Sequence, residues 1–182
     1  MELKVKTRFV ASIASCHRAI TVSDHAIHRR QRVDNIIMAP SILYRVEDKD
    51  SRAQYSVGGG IYAEDRNTPA NIRGASWGLY NELKNHIDWK SRTPTVFISA
   101  YYKEEVALRE AHRRVRDGKE EVVVYQIDIG KRDRRVEYRE MRRLATKLRL
   151  EIPDCAWNNS KYEYIFLYHV PESAVVGWVD FW

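Results

Sequence analysis

A chain of 182 residues, 44% hydrophobic and 11% aromatic, is long enough for one packed domain and too short for two comfortable ones. Its 31 basic and 25 acidic residues leave a formal net charge of +6, so it is densely charged rather than uniformly basic. No apolar run approaches the ~20 residues of a membrane span, the basic start before Phe9 to Ala14 is a poor secretory leader, and Cys16 and Cys155 are too few for a disulfide framework. These exclusions favour an intracellular, reducing location, cytoplasmic or nuclear, with no membrane partner.

Residues 1–40 read as a separate, helical N-terminal arm. Val10 to Ile20 has mixed apolar periodicity, and Ser23-Asp24 suits the cap of a short helix through His28 to Val33, ended by Pro40. Residues 41–182 form the main domain. Ile42-Leu43-Tyr44-Arg45-Val46 is a short strand, and Gly58-Gly59-Gly60 marks a place where backbone turns sharply or approaches closely. Ala75 to Ile87 reads as a helix with Trp77, Tyr80, Leu83 and Ile87 as its apolar stripe. Thr95 to Ser99 is a second strand, followed by a charged helix from Lys103 to Arg116 that Asp117-Gly118 closes. Glu121 to Ile129, with three successive valines, is the strongest strand in the chain. Val136 to Leu150 predicts a basic amphipathic helix, and the end holds two strands, Tyr164 to Tyr168 and Val175 to Phe181. Strands and helices mix without regular alternation, which predicts an α+β fold rather than a doubly wound sheet.

Basic residues cluster at His28 to Arg32 and between Arg109 and Arg149. Such pairs along helices are usually solvated faces, with a nucleic-acid footprint as the sharper alternative. Cys16, His17, His25 and His28 are metal-capable neighbours, but their spacing fits no familiar zinc module, so no metal site is assigned.

Three segments carry a family resemblance over roughly residues 41–178. Leu43-Tyr44-Arg45-Val46 resembles the arginine-bearing strand of ADP-ribosyltransferases of the arginine–serine–glutamate class. Phe97-Ile98-Ser99-Ala100-Tyr101 resembles their serine strand. Glu163, opening an aromatic strand that runs into His169-Val170-Pro171-Glu172, resembles their catalytic-glutamate strand. The chain also resembles a fungal group of domains of undefined function with Leu-Tyr-Arg-Val, a His-Leu-Asp-Trp-like segment (here His86-Ile87-Asp88-Trp89) and a Phe-Ile-Ser strand.

The resemblance implies a split β-sandwich with flanking helices that binds NAD as its substrate and cleaves the nicotinamide–ribose bond. Glu163, Arg45 and Ser99 would be the catalytic set. Arg45, Tyr44, Ser99, Tyr101, Tyr62 and Trp89 would hold the dinucleotide, and the acceptor would be a macromolecule, protein before nucleic acid. A toxin or effector role, including action inside a host cell, fits such a fold by analogy. The family's Ser-Thr-Ser is reduced here to Ser99-Ala100-Tyr101, and Lys161 stands where an acceptor-guiding Gln or Glu is common. Transfer to arginine is therefore not implied. Hydrolysis, another acceptor, or a catalytically degenerate protein-binding module stay open.

The residue types suit the chemistry. Breaking that bond builds positive charge on the sugar, which a carboxylate such as Glu163 stabilises. A guanidinium such as Arg45 offers a planar fork to phosphate or ribose oxygens, and a hydroxyl such as Ser99 holds either in place. The plainer readings are that Arg45 pairs with Glu47 or Asp48, Ser99 bonds backbone, Glu163 merely starts a strand, and His86 and Trp89 finish a helix where a histidine suits the dipole.

Overall fold

A computed structural model describes residues 6–9 (backbone only), 40–88, 90–132 and 135–182. The elements in chain order are β1 (Lys6–Phe9), β2 (Ile42–Glu47), β3 (Gln54–Ser56), β4 (Gly60–Tyr62), α1 (Trp77–Ile87), β5 (Phe97–Tyr101), α2 (Glu104–Arg116), β6 (Val122–Asp128), β7 (Tyr138–Glu140), α3 (Met141–Leu148), α4 (Asp154–Ser160), β8 (Glu163–Leu167), β9 (His169–Val170) and β10 (Val175–Phe181). They build an α+β fold with a seven-stranded sheet in the order β1-β10-β6-β2-β5-β8-β7 and a three-stranded sheet β3-β4-β9. Every pairing is antiparallel.

Period-two alternation sends the strand residues of the large sheet to two different cores. Leu43, Ile98, Ala100, Ile127 and Phe166 face the small sheet and pack with its Ile61 and Val170. On the other face, Phe97, Ile165 and Leu167 meet α1 and α3 through Leu79, Leu83, Met141 and Leu144. Val46, Val122, Val124 and Phe181 meet α2 through Ala107 and Ala111. The helices thus cover one face in two separate groups. The seam between those groups is where the site lies.

Local chemistry explains the helix ends. Ser76 caps α1 by accepting from the Leu79 N–H. Glu104 and Glu105 open α2 and Arg113, Arg114 and Arg116 close it, each sign complementing the helix dipole. The buried row of α1 is Leu79, Leu83 and Ile87; Trp77 instead is 74% exposed and stacks on Tyr80 at 5.0 Å. The expected stripe was displaced because Trp77 and Tyr80 sit off the i, i+4 row.

The basic helix expected from Val136 begins only at Met141. Tyr138, Arg139 and Glu140 pair with Phe166, Ile165 and Tyr164 as the edge strand β7. Aromatic cross-strand contact outweighs helical period there: Tyr138 lies 5.7 Å from Phe166 and 6.0 Å from Tyr164. The short helix α4 was not expected at all. Of the N-terminal arm read over residues 1–40, Lys6–Phe9 is a strand paired with β10, and the proposed His28 to Val33 helix and the Cys16, His17, His25 and His28 group lie outside the described residues.

The glycine run does both things its sequence allows. Gly58 turns the β3–β4 hairpin at φ +79. Gly60, at φ +89, presses against the chain after β9, where a Cβ would collide with main-chain atoms of Val170, Pro171 and Glu172. Both the dihedral and the clash fall on backbone that cannot rotate away. Gly60→Ala is expected to lose about 3 kcal/mol or more, read as a lower urea midpoint; an unchanged midpoint would mean the small sheet is not docked this way.

Candidate active site

The ladder between β2 and β5 has a single paired position, Tyr44 opposite Tyr101. Past that pair a side chain replaces backbone pairing. The Arg45 guanidinium donates from Nη1 to the Ser99 carbonyl at 2.9 Å and from Nη2 to the Ala53 carbonyl at 2.7 Å. Arg45 is 7% exposed, and among the described residues its Nε has no hydrogen-bond acceptor, with Glu47 Oε2 at 3.9 Å. The split in the sheet opens a cavity of about 380 Å³, within the range of small-molecule clefts. β5 and β8 supply its floor through Ser99, Tyr101 and Glu163, with walls from α1, α2 and the loop after β2.

Inside it the three segments meet. Ser99 Oγ is hydrogen-bonded to Glu163 Oε1, while the same residue's carbonyl holds Arg45. Register explains the contact: Tyr101 opposes Glu163 and Ser99 opposes Ile165, so all four share the helix-covered face. Burial pushes the Glu163 carboxyl up to about 7, against the opposing pull of Ser99 and Arg45. Burial first, and the Glu163 charge second, push the Tyr101 phenol above its ordinary range.

A fourth residue, expected only to finish a helix, belongs to the site. His86 at the end of α1 lies with Nε2 2.7 Å from Ser99 Oγ and Nδ1 3.0 Å from Thr95 Oγ1. Burial, then the charges of Arg45 and Arg52, hold it down to about 3, so the ring is neutral. Contrary to the dipole expectation, this imidazole does not carry the positive charge a helix C-terminus would favour. The set is not a nucleophile triad of the serine–histidine–acid kind either. There the acid holds the far nitrogen of the histidine; here the acid touches the serine, and a threonine takes the far nitrogen.

The remaining expected residues divide. Tyr101 lines the cavity. Tyr44 packs against the α2 core instead. Tyr62 lies on the small sheet, stacked on His169 at 4.3 Å under Arg66, and is not among the residues lining the cleft. Its place on β4 is set by the β3–β4 hairpin, a pair of strands not expected from the sequence. Trp89 lies outside the described residues. Arg45 does approach Glu47, as the plainer reading held, but Asp48 pairs with Arg114 at 2.8 Å.

Lys161 is exposed, with its Nζ 4.7 Å from the Tyr162 ring. Among the described residues no helix is long and apolar enough to cross a membrane.

Fold and site together define an α+β protein with a polar cleft set into the split of its larger sheet. Residues 38–181 match the model of a family described as Domain of unknown function (DUF7587), and the chain belongs to that family. No curated protein matches the chain. The match takes in Arg45, His86, Ser99 and Glu163 and every element from β2 to β10.

Proposed function

We propose that the cleft takes the nicotinamide–ribose half of NAD and breaks the bond between them, as an NAD glycohydrolase or ADP-ribosyltransferase of ADP-ribosyltransferase-like fold. One observation carries the reading. A guanidinium, a serine hydroxyl and a carboxylate from three strands far apart in sequence converge on one cavity, in the order the resemblance implies. A strand-start acid or a surface ion pair gives no reason for that convergence.

The chemistry follows from the parts. The C1′–N bond breaks with its electron pair leaving on nicotinamide, which departs neutral, and positive charge gathers on the ribose. The Glu163 carboxylate stabilises that charge, an effect worth about 3–4 kcal/mol for one well-aimed group. Arg45 would bind phosphate or ribose oxygens near the split, and the Tyr101 ring would give the flat base a wall. Water or an acceptor then adds to C1′ and releases a proton. An exposed ammonium at Lys161 repels a guanidinium acceptor, which favours water or an uncharged acceptor.

The basic stretch from Arg109 to Arg149 supports a nucleic-acid reading less well. Arg113 pairs with Glu110 and Asp117, Arg114 with Asp48 and Glu110, and Arg143 with Glu140. Much of that positive charge is spent locally.

The test is nicotinamide release from NAD, wild type against Glu163→Ala. Because the reacting form of Glu163 is the carboxylate, release is expected to rise with pH through a midpoint near 7 and level off above it. Glu163→Ala should lower it by about 10²-fold or more. No release by wild type from pH 5 to 9, with or without protein acceptors, would overturn the enzymatic reading and leave the binding-module alternative.

A further inference from the structure

We propose that His86 is a positioning residue: as the neutral ring protonated at Nε2, it donates to Ser99 Oγ and so commits the single Ser99 hydroxyl hydrogen to Glu163. The hydrogens available to these groups fix the arrangement. Thr95 Oγ1, His86 Nδ1, His86 Nε2, Ser99 Oγ and Glu163 Oε1 form three consecutive links. With Glu163 charged, the chain has three hydrogens to fill them: one on Thr95, one on the neutral ring and one on Ser99. A carboxylate only accepts, so the Ser99 hydrogen must point at it. Ser99 Oγ then accepts, which places the ring hydrogen on Nε2. Nδ1 is left with a lone pair, which the Thr95 hydroxyl fills. With the ring neutral and Glu163 charged, no other arrangement satisfies all three links.

The sequence around the ring serves this arrangement. Thr95, just before β5, and Ser99 within it both bring their hydroxyls to the ring. His86 sits one position before Ile87 and three after Leu83, so α1 carries it to the edge of its buried row. The charged and titratable neighbours all oppose a proton on this ring or bear on its partner. Arg45 of β2 and Arg52 of the following loop face His86. Arg45 and Tyr101 face Glu163, and Glu110 and Arg114 of α2 bear on Tyr101. A cationic ring would donate to both hydroxyls, but burial and the charges of Arg45 and Arg52 oppose it.

The consequence for catalysis rests on the proposed NAD chemistry, but the wiring does not. By donating to Ser99, His86 strengthens the Ser99 donation to Glu163 and favours the carboxylate. Losing that donor should raise the pH at which Glu163 ionises.

Nitrogen NMR of the histidine rings in the intact wild-type chain at pH 8 gives the first readout. The expected result is a neutral His86 protonated at Nε2; a ring protonated at Nδ1, or at both nitrogens, overturns the inference. Carbon NMR titration of the Glu163 carboxyl gives the second. His86→Gln, whose amide can donate from nearly the Nε2 position, is expected to keep the wild-type midpoint, whereas His86→Leu should raise it by about one pH unit. An equal midpoint in His86→Leu and wild type overturns the inference; if His86→Leu does not fold, the wild-type ring readout decides alone, and protonation at Nδ1 sinks the inference. A wild type with the expected ring state that releases no nicotinamide supports the wiring and sinks only the proposed chemistry.

Discussion

Glu163→Gln is expected to make the folded chain more stable above neutral pH and, on the proposed NAD chemistry, to abolish nicotinamide release. The sign follows from the environment of the carboxyl. Burial raises its midpoint in the folded state to about 7 from an ordinary value of 4.5, so the folded chain holds this proton more tightly than the unfolded chain does. The resulting stability is fully present below about 4.5, is lost as pH climbs through about 7, and does not return. Each pH unit across that window removes about 1.4 kcal/mol, on the order of 3 kcal/mol in all. Glutamine keeps the shape and the bond to Ser99 without the charge, and escapes that loss. The melting temperatures of variant and wild type should therefore agree near pH 4.5 and separate by several degrees by pH 8, the variant higher. A separation that does not change with pH would mean Glu163 is as well solvated as an ordinary surface acid.

That trade is what a functional carboxylate in a low-dielectric cleft entails. Nothing in the packing requires an acid at position 163. Its neighbours along β8, Ile165 and Leu167, bury apolar side chains on the same face, and a neutral residue would continue the pattern. The chain retains a charge there at a cost to its own stability, beside a guanidinium that offsets only part of it. This is the physical content behind reading the cleft as a reaction site rather than an ion-pair scaffold.

How far such a site was legible depended on where each residue's signal lay. Arg45, Ser99 and Glu163 stood in strands whose short patterns could be matched, and strand alternation set Ser99 and Glu163 on one face, whereas Arg45, in step with Leu43, reaches the Ser99 carbonyl only where the sheet parts. Their convergence was not legible, because it depends on β2 and β5 parting after one paired position, a feature of sheet geometry with no local mark. His86 was misjudged although a signal was present. Thr95 and Ser99 put two hydroxyls on the same face as Phe97 and Tyr101, and buried hydroxyls need partners; a histidine flanking the Leu79, Leu83 and Ile87 row was the available one. Tyr62 failed for the opposite reason. An aromatic was chosen for its chemistry alone, while no strand was expected at β4, which pairs with β3 and β9 in the small sheet. β7 and α4 were hidden because their local preference is weak: Tyr138 to Glu140 continues a helical period, and Asp154–Ser160 holds two asparagines and a serine. Tertiary contacts with β8 and with Arg142, which donates to Ser160 Oγ at 2.8 Å, decide both.

Arg45 is where structure and proposed function bear on the same atoms, and its variants should separate them. The guanidinium replaces backbone pairing at the split, filling the carbonyls of Ser99 and Ala53 at once. A lysine ammonium keeps the charge but is a single point on a shorter reach, without a planar fork. Arg45→Lys is therefore expected to leave at least one of those carbonyls unpaired and to lose about 1–3 kcal/mol in denaturant unfolding. Arg45→Met removes the charge as well. Glu47, 8% exposed and held by the Tyr55 N–H at 3.0 Å, would then lack its cation, and burial already pushes its carboxyl up. A loss of about 3–5 kcal/mol is expected, the range for breaking a buried pair from one side. The second substitution Glu47→Gln should return part of that loss, since it removes the stranded charge while sparing the bond to Tyr55. It should return no nicotinamide release, because an amide at position 47 supplies nothing to a phosphate or ribose oxygen. Stability recovered without activity assigns Arg45 both roles. Activity recovered together with stability would reduce Arg45 to a structural strut and remove one of the three groups on which the NAD reading stands.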